Sequence, residues 1–271
     1  MATVQLLETI LYDPKEGVFL LDYHCDRMIA SAKELAVFFS NNPEEFLRDL
    51  IPTRSEISNK LDVAIRNAGK DTRQRLRVLL DFDGAITIQS SHLPSETTSF
   101  QDSSILVVLD KQATHSDNMF LKHKTTEREV YNEARTRLGL GPVGAPMGDN
   151  VPFDVIMYNE EGEVMEATIA NVAIEVENPE SGALEWITPP LSSDQSVGDV
   201  MVQHCDVNLA LCLRVSPLGL LNGTMRRKLL ESGELKERVI TVPELKKAAS
   251  EGRRIKCFNS VRKEYPVTLK C

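Results

Sequence analysis

No apolar run in the chain approaches the roughly 20 residues that span a bilayer, and the N-terminal segment MATVQLLETILYDPKEG has no basic stretch leading into an apolar one. From these two absences we expect neither a membrane span nor a secretory leader, and a cytoplasmic protein. Cysteine is scarce: Cys25, Cys205, Cys212, Cys257 and Cys271 are odd in number and contain no CxxC pair. That pattern fits a reducing compartment better than a disulfide framework. His204, Cys205 and Cys212 could supply three metal ligands, but nothing supplies a fourth, so no metal is expected. Basic charge is also in deficit, with 31 Lys and Arg against 40 Asp and Glu and a net charge of -9. A general nucleic-acid binder is thereby excluded, while a local basic pocket for a small anion is not. Internal repeats and low-complexity tracts are absent. What remains is ordinary globular material, 42% hydrophobic and 26% charged over 271 residues, enough for one large or two modest domains with a buried core.

Along the chain, helices and strands are mixed without strict βαβ alternation, which indicates an α+β fold. Short strands are expected at Leu6 to Tyr12 and Val18 to Leu21, then a helix from Cys25 to Phe39 with Met28, Ala32 and Leu35 on one face. Asn42 before Pro43 is a helix start, and Ser55 can cap a further helix through Ala68. RLRVLLDFDGAITIQS is a hairpin around Asp83-Gly84, followed by a strand at Ser104 to Leu109. The polar, aperiodic stretch from Asp110 to Met119 reads as a connection between domains. Beyond it, strands flank the turn NEEG, a helix opens at Gly223, a strand lies near Arg238 to Thr241, a helix runs from Pro243 to Ser250, and strands close the chain at Ile255 to Phe258 and Val267 to Leu269.

The most informative residue is Lys124, in HKTTEREVYNEAR. Thr126 and Glu129 have capping-box spacing, so a helix should start near Glu127 and end at Gly139, with Lys124 in the turn before it. An isolated lysine is ordinarily exposed; its company elsewhere in the chain argues otherwise. An amine that forms an imine with an aldehyde cofactor needs a carboxylate to keep the cofactor ring protonated, and donors for its phosphate. Glu166, within the β run EATIANV, offers the carboxylate. GTMRR, residues 223 to 227, opens a helix whose free N-H groups favour an anion; Ser260 follows a strand, and Arg27 stands in HCDRM. Each of these, taken singly, has an ordinary structural explanation.

Together, HKTTEREVYNEAR, NEEGEVMEATIANV, TPPL followed by GLLNGTMRRKLLESG, and CFNSVR resemble the signature segments of the class IV, or fold type IV, pyridoxal-phosphate enzymes. This family includes branched-chain and D-amino-acid aminotransferases and 4-amino-4-deoxychorismate lyases. The resemblance implies a small α+β N-terminal domain over 1–112, an interdomain loop over 113–120 and a larger barrel-like α/β cofactor domain over 121–271. It also implies a homodimer acting on a small molecule. By motif, Lys124 would carry the cofactor imine and move protons, Glu166 would pair with the ring nitrogen, and Arg27, the Thr224 and Met225 amides and Ser260 would hold the phosphate. Asn171 would lie near the ring. Arg77 and Arg128 are candidates for substrate carboxylates.

KTTEREVY and the CFNSVR ending are most similar to the lyase branch, which converts aminodeoxychorismate to 4-aminobenzoate and pyruvate for folate biosynthesis. The alternative within the family is an aminotransferase for branched-chain or D-amino acids. One segment departs from the family pattern: the 25 residues Asp194 to Leu218 separate TPPLSS from GLLNG, and Asn222 stands where relatives have proline. The insertion reads either as a functional loop or as in-frame non-coding sequence carried into the gene model. It also admits a family member impaired in catalysis.

Overall fold

The computed structural model describes residues 4–94, 105–143, 151–191 and 219–270. The insertion over 194–218, with His204, Cys205 and Cys212, lies outside the described residues.

Two sheets organise the chain. The first is built from β1 (Leu6–Asp13), β2 (Gly17–Val18), β3 (Gln74–Leu80) and β4 (Ile86–His92), antiparallel in the order β2-β1-β3-β4. One face is covered by α1 (Leu21–Phe39) and α3 (Arg54–Ala68), linked through α2 (Pro43–Glu45) and a π-helical turn at Phe46–Leu50. Leu6 and Ile10 of β1 and Leu76, Val78 and Leu80 of β3 repeat at a period of two and so point to one side. There they meet Met28, Ala32 and Leu35 of α1 and Ile57, Leu61 and Ile65 of α3, which recur every three or four residues.

The second sheet has eight strands in the order β10-β9-β8-β11-β12-β5-β6-β7. They are β5 (Ile105–Leu109), β6 (Asp154–Tyr158), β7 (Val164–Ala167), β8 (Asn171–Glu177), β9 (Leu184–Thr188), β10 (Lys236–Glu237), β11 (Ile255–Asn259) and β12 (Lys263–Lys270). β7, at one edge of that order, also lies against the inner strand β8, so the sheet curls back on itself as a barrel-like wall. Its core includes Val107, Ile156, Val172, Ile174, Cys257 and Val267, with Leu245 and Ala248 of α7 (Val242–Ser250). Two further helices pack on other surfaces. α5 (Glu129–Arg137) sets Tyr131 and Ala134 against Val155, Met157 and Met165, and α6 (Thr224–Glu231) sets Met225 and Leu229 against Ala173 and Phe258. A single turn, α4 (Met119–Lys122), precedes α5. No described helix is long and apolar enough to cross a membrane, and no described group of His, Cys, Asp and Glu could hold a metal.

The structure revises several expectations. β5 falls within the span 1–112 but pairs in parallel with β12 and β6, so the chain passes from the first sheet to the second between His92 and Ile105. The near-continuous apolar run Ile105–Leu109 suits an inner parallel strand. The strand expected at 18–21 is cut to two residues because Leu20 adopts φ 55°, turning the chain into α1 at Leu21. α3 is capped by Thr53, whose hydroxyl accepts from the Glu56 amide while the Glu56 carboxylate accepts from the Thr53 amide, in place of Ser55. Asn42 and Pro43 open a helix as expected. The strand expected at 238–241 is instead β10, parallel to β9; β9 and α4 are additional elements. Thr126 caps nothing: it is bonded to Gln5, and α5 begins at Glu129.

Candidate active site

Lys124 owes its position to a backbone clamp. After α4 the chain becomes extended at His123, and the Lys124 carbonyl accepts from the Leu7 amide at 2.8 Å. Thr126 exchanges two bonds with Gln5: its amide donates to the Gln5 carbonyl at 2.9 Å, and its hydroxyl oxygen accepts from the Gln5 amide at 3.0 Å. The lysine segment is thus a short extra strand on the start of β1, tying the second half of the chain to the first sheet. His123 fastens the same segment to α1 through Ser31 at 3.0 Å and Glu34 at 3.4 Å. Burial pushes the Lys124 ammonium down to about 8, helped by the positive charges of Arg27 and Arg128 and opposed by Glu8 and Glu166. A lysine so placed has a substantial neutral, nucleophilic fraction near neutral pH.

One residue along β1 from the clamp, Glu8 turns a carboxylate into the protein. His24 Nδ1 lies 2.6 Å from Glu8 Oε2, and Arg27 grips both oxygens, Nε to Oε1 at 2.7 Å and Nη2 to Oε2 at 2.5 Å. Burial alone would raise this carboxyl, but Arg27 and His24 outweigh it and bring Glu8 down to about 2. Burial lowers His24 against the pull of Glu8 and so favours its neutral form. Its Nδ1-H then serves the carboxylate, and Nε2 is left buried as an acceptor with no described partner. The third nitrogen of Arg27 donates to the Asn222 carbonyl at 3.1 Å, which brings the guanidinium to the entrance of α6.

Glu166, on β7, forms the other side. Tyr131 donates its hydroxyl to Oε1 at 2.8 Å, the Leu221 amide donates to the same oxygen at 3.1 Å, and Asn171 Nδ2 donates to Oε2 at 3.1 Å. Burial raises Glu166 to about 7 against these donors and the charges of Lys124 and Arg128. Asn171 also donates to the Leu221 carbonyl at 2.9 Å, so one side chain fixes both the carboxylate and the turn into α6. Arg128, at the entrance to α5, stacks 4.6 Å from the Tyr131 ring centre and donates to the Thr168 carbonyl at 2.6 Å.

The turn into α6 is an anion cradle by construction. Gly223 precedes the helix without any side-chain cap, leaving the first N-H groups open. A Cβ at Gly223 would meet Asn171 Oδ1 at 2.0 Å, and one at Gly219, where φ is +60°, would meet the Ser116 carbonyl at 2.4 Å. Thr224 and Met225 are buried there. Ser260 is buried too, donating to the Thr9 carbonyl at 2.9 Å. An uncapped helix start with Arg27 beside it offers donors for a phosphate, the lowered Lys124 offers an amine for an aldehyde, and the buried Glu166 carboxylate offers an acceptor for a protonated ring nitrogen, a set that fits pyridoxal phosphate.

The structure therefore brings Lys124, Arg27, Glu166, Asn171, Thr224, Met225 and Arg128 into one linked region, with Ser260 joined to it through β1. Arg77 stays apart: it is exposed on β3, bonded at 3.5 Å to Gln89, and is not among the charges acting on Lys124. Glu8 and Tyr131 were not foreseen. Glu8 carried a signal, being a charged residue on the Leu6-Ile10 apolar face; Tyr131 lies on the α5 core face and looks in sequence like any core aromatic.

A Schizosaccharomyces pombe protein named as a candidate aminodeoxychorismate lyase is 32% identical over 265 residues, covering 97% of this chain and 88% of that protein. The aminodeoxychorismate lyase of Saccharomyces cerevisiae is 25% identical over 293 residues, covering 95% of this chain and 69% of the yeast protein. In fold, a crystal structure of a protein named as a candidate amino-acid aminotransferase from Mesorhizobium loti superposes with a TM-score of 0.67 at 24% identity, over 98% of this chain and all of the other. The family model for amino-transferase class IV matches residues 5–269, and the chain belongs to that family.

Proposed function

We propose that the chain is a pyridoxal-phosphate-dependent lyase that converts 4-amino-4-deoxychorismate to 4-aminobenzoate and pyruvate. The observation that carries the cofactor assignment is Lys124, brought down to about 8 within reach of the charge of the buried Glu166. Similarity over 97% of the chain to a relative named for the lyase favours that branch over the aminotransferases.

In this reading Lys124 Nζ would hold the cofactor at its aldehyde carbon, and the Glu166 carboxylate would favour a proton on the ring nitrogen. Arg27, the Thr224 and Met225 amides and Ser260 take the phosphate. Bound pyridoxal phosphate would supply an electron-poor ring that accepts charge from the substrate carbon bearing the amine. With the substrate amine in place, Lys124 is free to take the proton from that carbon. The C-O bond to the three-carbon enol group would then break with its electron pair going to the leaving oxygen; the enolpyruvate released takes up a proton, equivalent to the one removed by Lys124, to become pyruvate, and the six-membered ring becomes aromatic. Arg128 is a candidate for a substrate carboxylate, Arg77 a more distant one. The same reading makes the working unit a cytoplasmic homodimer.

The test is the product. Purified, cofactor-loaded protein should release 4-aminobenzoate and pyruvate in equal amounts from aminodeoxychorismate. A preparation that converts leucine or D-alanine to keto acids yet makes no 4-aminobenzoate would contradict the lyase reading and leave an aminotransferase.

A further inference from the structure

Two residues of HKTTEREVYNEAR, Arg128 and Tyr131, have a geometry that the cofactor reading does not use. Tyr131 is buried on α5 and donates to Glu166 Oε1 at 2.8 Å, an oxygen that also accepts from the Leu221 amide at 3.1 Å. Among the described residues, Glu166 Oε2 accepts from Asn171 alone, at 3.1 Å. A carboxylate has about four acceptor positions, two on each oxygen, so Oε1 is saturated and Oε2 keeps one position open. Arg128 braces the tyrosine from the other side, with its guanidinium 4.6 Å from the ring centre and anchored on the Thr168 carbonyl.

We propose that Tyr131, braced by Arg128, is a positioning residue that holds Glu166 ionised in one orientation, with Oε2 directed at the protonated ring nitrogen of the cofactor. The proposal rests on the cofactor reading above. Burial, followed by the nearby Glu166, keeps the Tyr131 hydroxyl protonated, so it remains a donor. The other charges facing Glu166 are Lys124 ahead of α5, Arg128 at its entrance and Arg226 of α6, all cationic and all favouring the carboxylate. Against them stands burial, which raises the group to about 7. Removing one donor raises it further, so a larger share of the carboxyl is protonated at neutral pH.

The test is the affinity of the apo-protein for pyridoxal phosphate, read by absorbance at two pH values and independent of turnover. Tyr131→Phe should weaken binding about five- to tenfold near pH 7, the effect of losing one bond to a charged group. The gap should close to under about twofold near pH 9, where Glu166 is ionised in either protein. In a Glu166→Gln background the same substitution should have no further effect. Wild-type affinity for Tyr131→Phe at pH 7, or an equal loss at both pH values that persists in the Gln background, overturns the proposal and leaves the cofactor reading intact. Failure of the wild type to bind pyridoxal phosphate removes both. Should Tyr131→Phe not fold, Arg128→Met is expected to weaken binding in the same pH-dependent way, and unchanged binding by that variant overturns the proposal equally.

Discussion

At the scale of single residues, the site is a set of charges whose states are fixed by what surrounds them. Glu8 is the clearest case. It is buried, yet Arg27 and His24 hold its carboxyl at about 2, below the ordinary value of 4.5. A carboxylate lowered in the folded state stabilises the protein above its unfolded value and loses that contribution as pH falls through the folded one. Wild-type stability should therefore decline between pH 4.5 and about 2, by on the order of 3 kcal/mol from this group. Glu8→Gln should flatten that acid limb and lower stability at pH 7, because Arg27 loses its charged partner. Urea midpoints measured against pH check it; an unchanged acid limb in the variant would assign the acid sensitivity to other groups. Glu8 was legible only in part from sequence. Its position on an apolar strand face shows that it needs a partner, but the partners lie 16 and 19 residues away on α1, and periodicity cannot align a strand with a helix.

At the scale of elements, local chemistry was readable wherever bonds are local. The Asn42-Pro43 start and the Asp83-Gly84 hairpin form as expected because each needs only neighbours within a few residues. Thr126 did not behave as its spacing suggests. Its hydroxyl oxygen and amide serve Gln5 of the segment before β1, and this tertiary pairing outweighs the capping box while placing Lys124. The turn into α6 shows the same dependence on distant partners. Gly223 looks like a simple helix start, but it is required by Asn171, 52 residues earlier, whose side chain crosses over it. Gly223→Ala should displace Asn171, costing about 1–3 kcal/mol in stability as an overpacked site does. It should also weaken pyridoxal phosphate binding, because Asn171 holds both Glu166 and Leu221. Thermal melting of the apo-protein together with a cofactor titration measures both; a variant with wild-type values in each would mean that the turn absorbs a methyl group without moving Asn171.

At the scale of the whole molecule, the order of signature segments in the sequence marks the family, since those segments are set by the chemistry of the site, and the mixing of helices and strands without βαβ alternation marks the α+β class. The division of the chain between the two sheets was harder to read. β5 follows the first sheet directly in sequence and has no local mark to say that its partners are β12 and β6, one of them at the far end of the chain. The site depends on that topology. Lys124 hangs on β1 of the first sheet, Glu166 sits on β7 and Ser260 follows β11 of the second, and Arg27 reaches from α1 to the turn before α6. The measurement that tests this arrangement most directly is borohydride reduction of the pyridoxal-phosphate-loaded protein, followed by peptide mass mapping. A single pyridoxyl adduct is expected on the peptide that contains Lys124, and none in Lys124→Ala. An adduct on another lysine, or undiminished labelling of the variant, would contradict it.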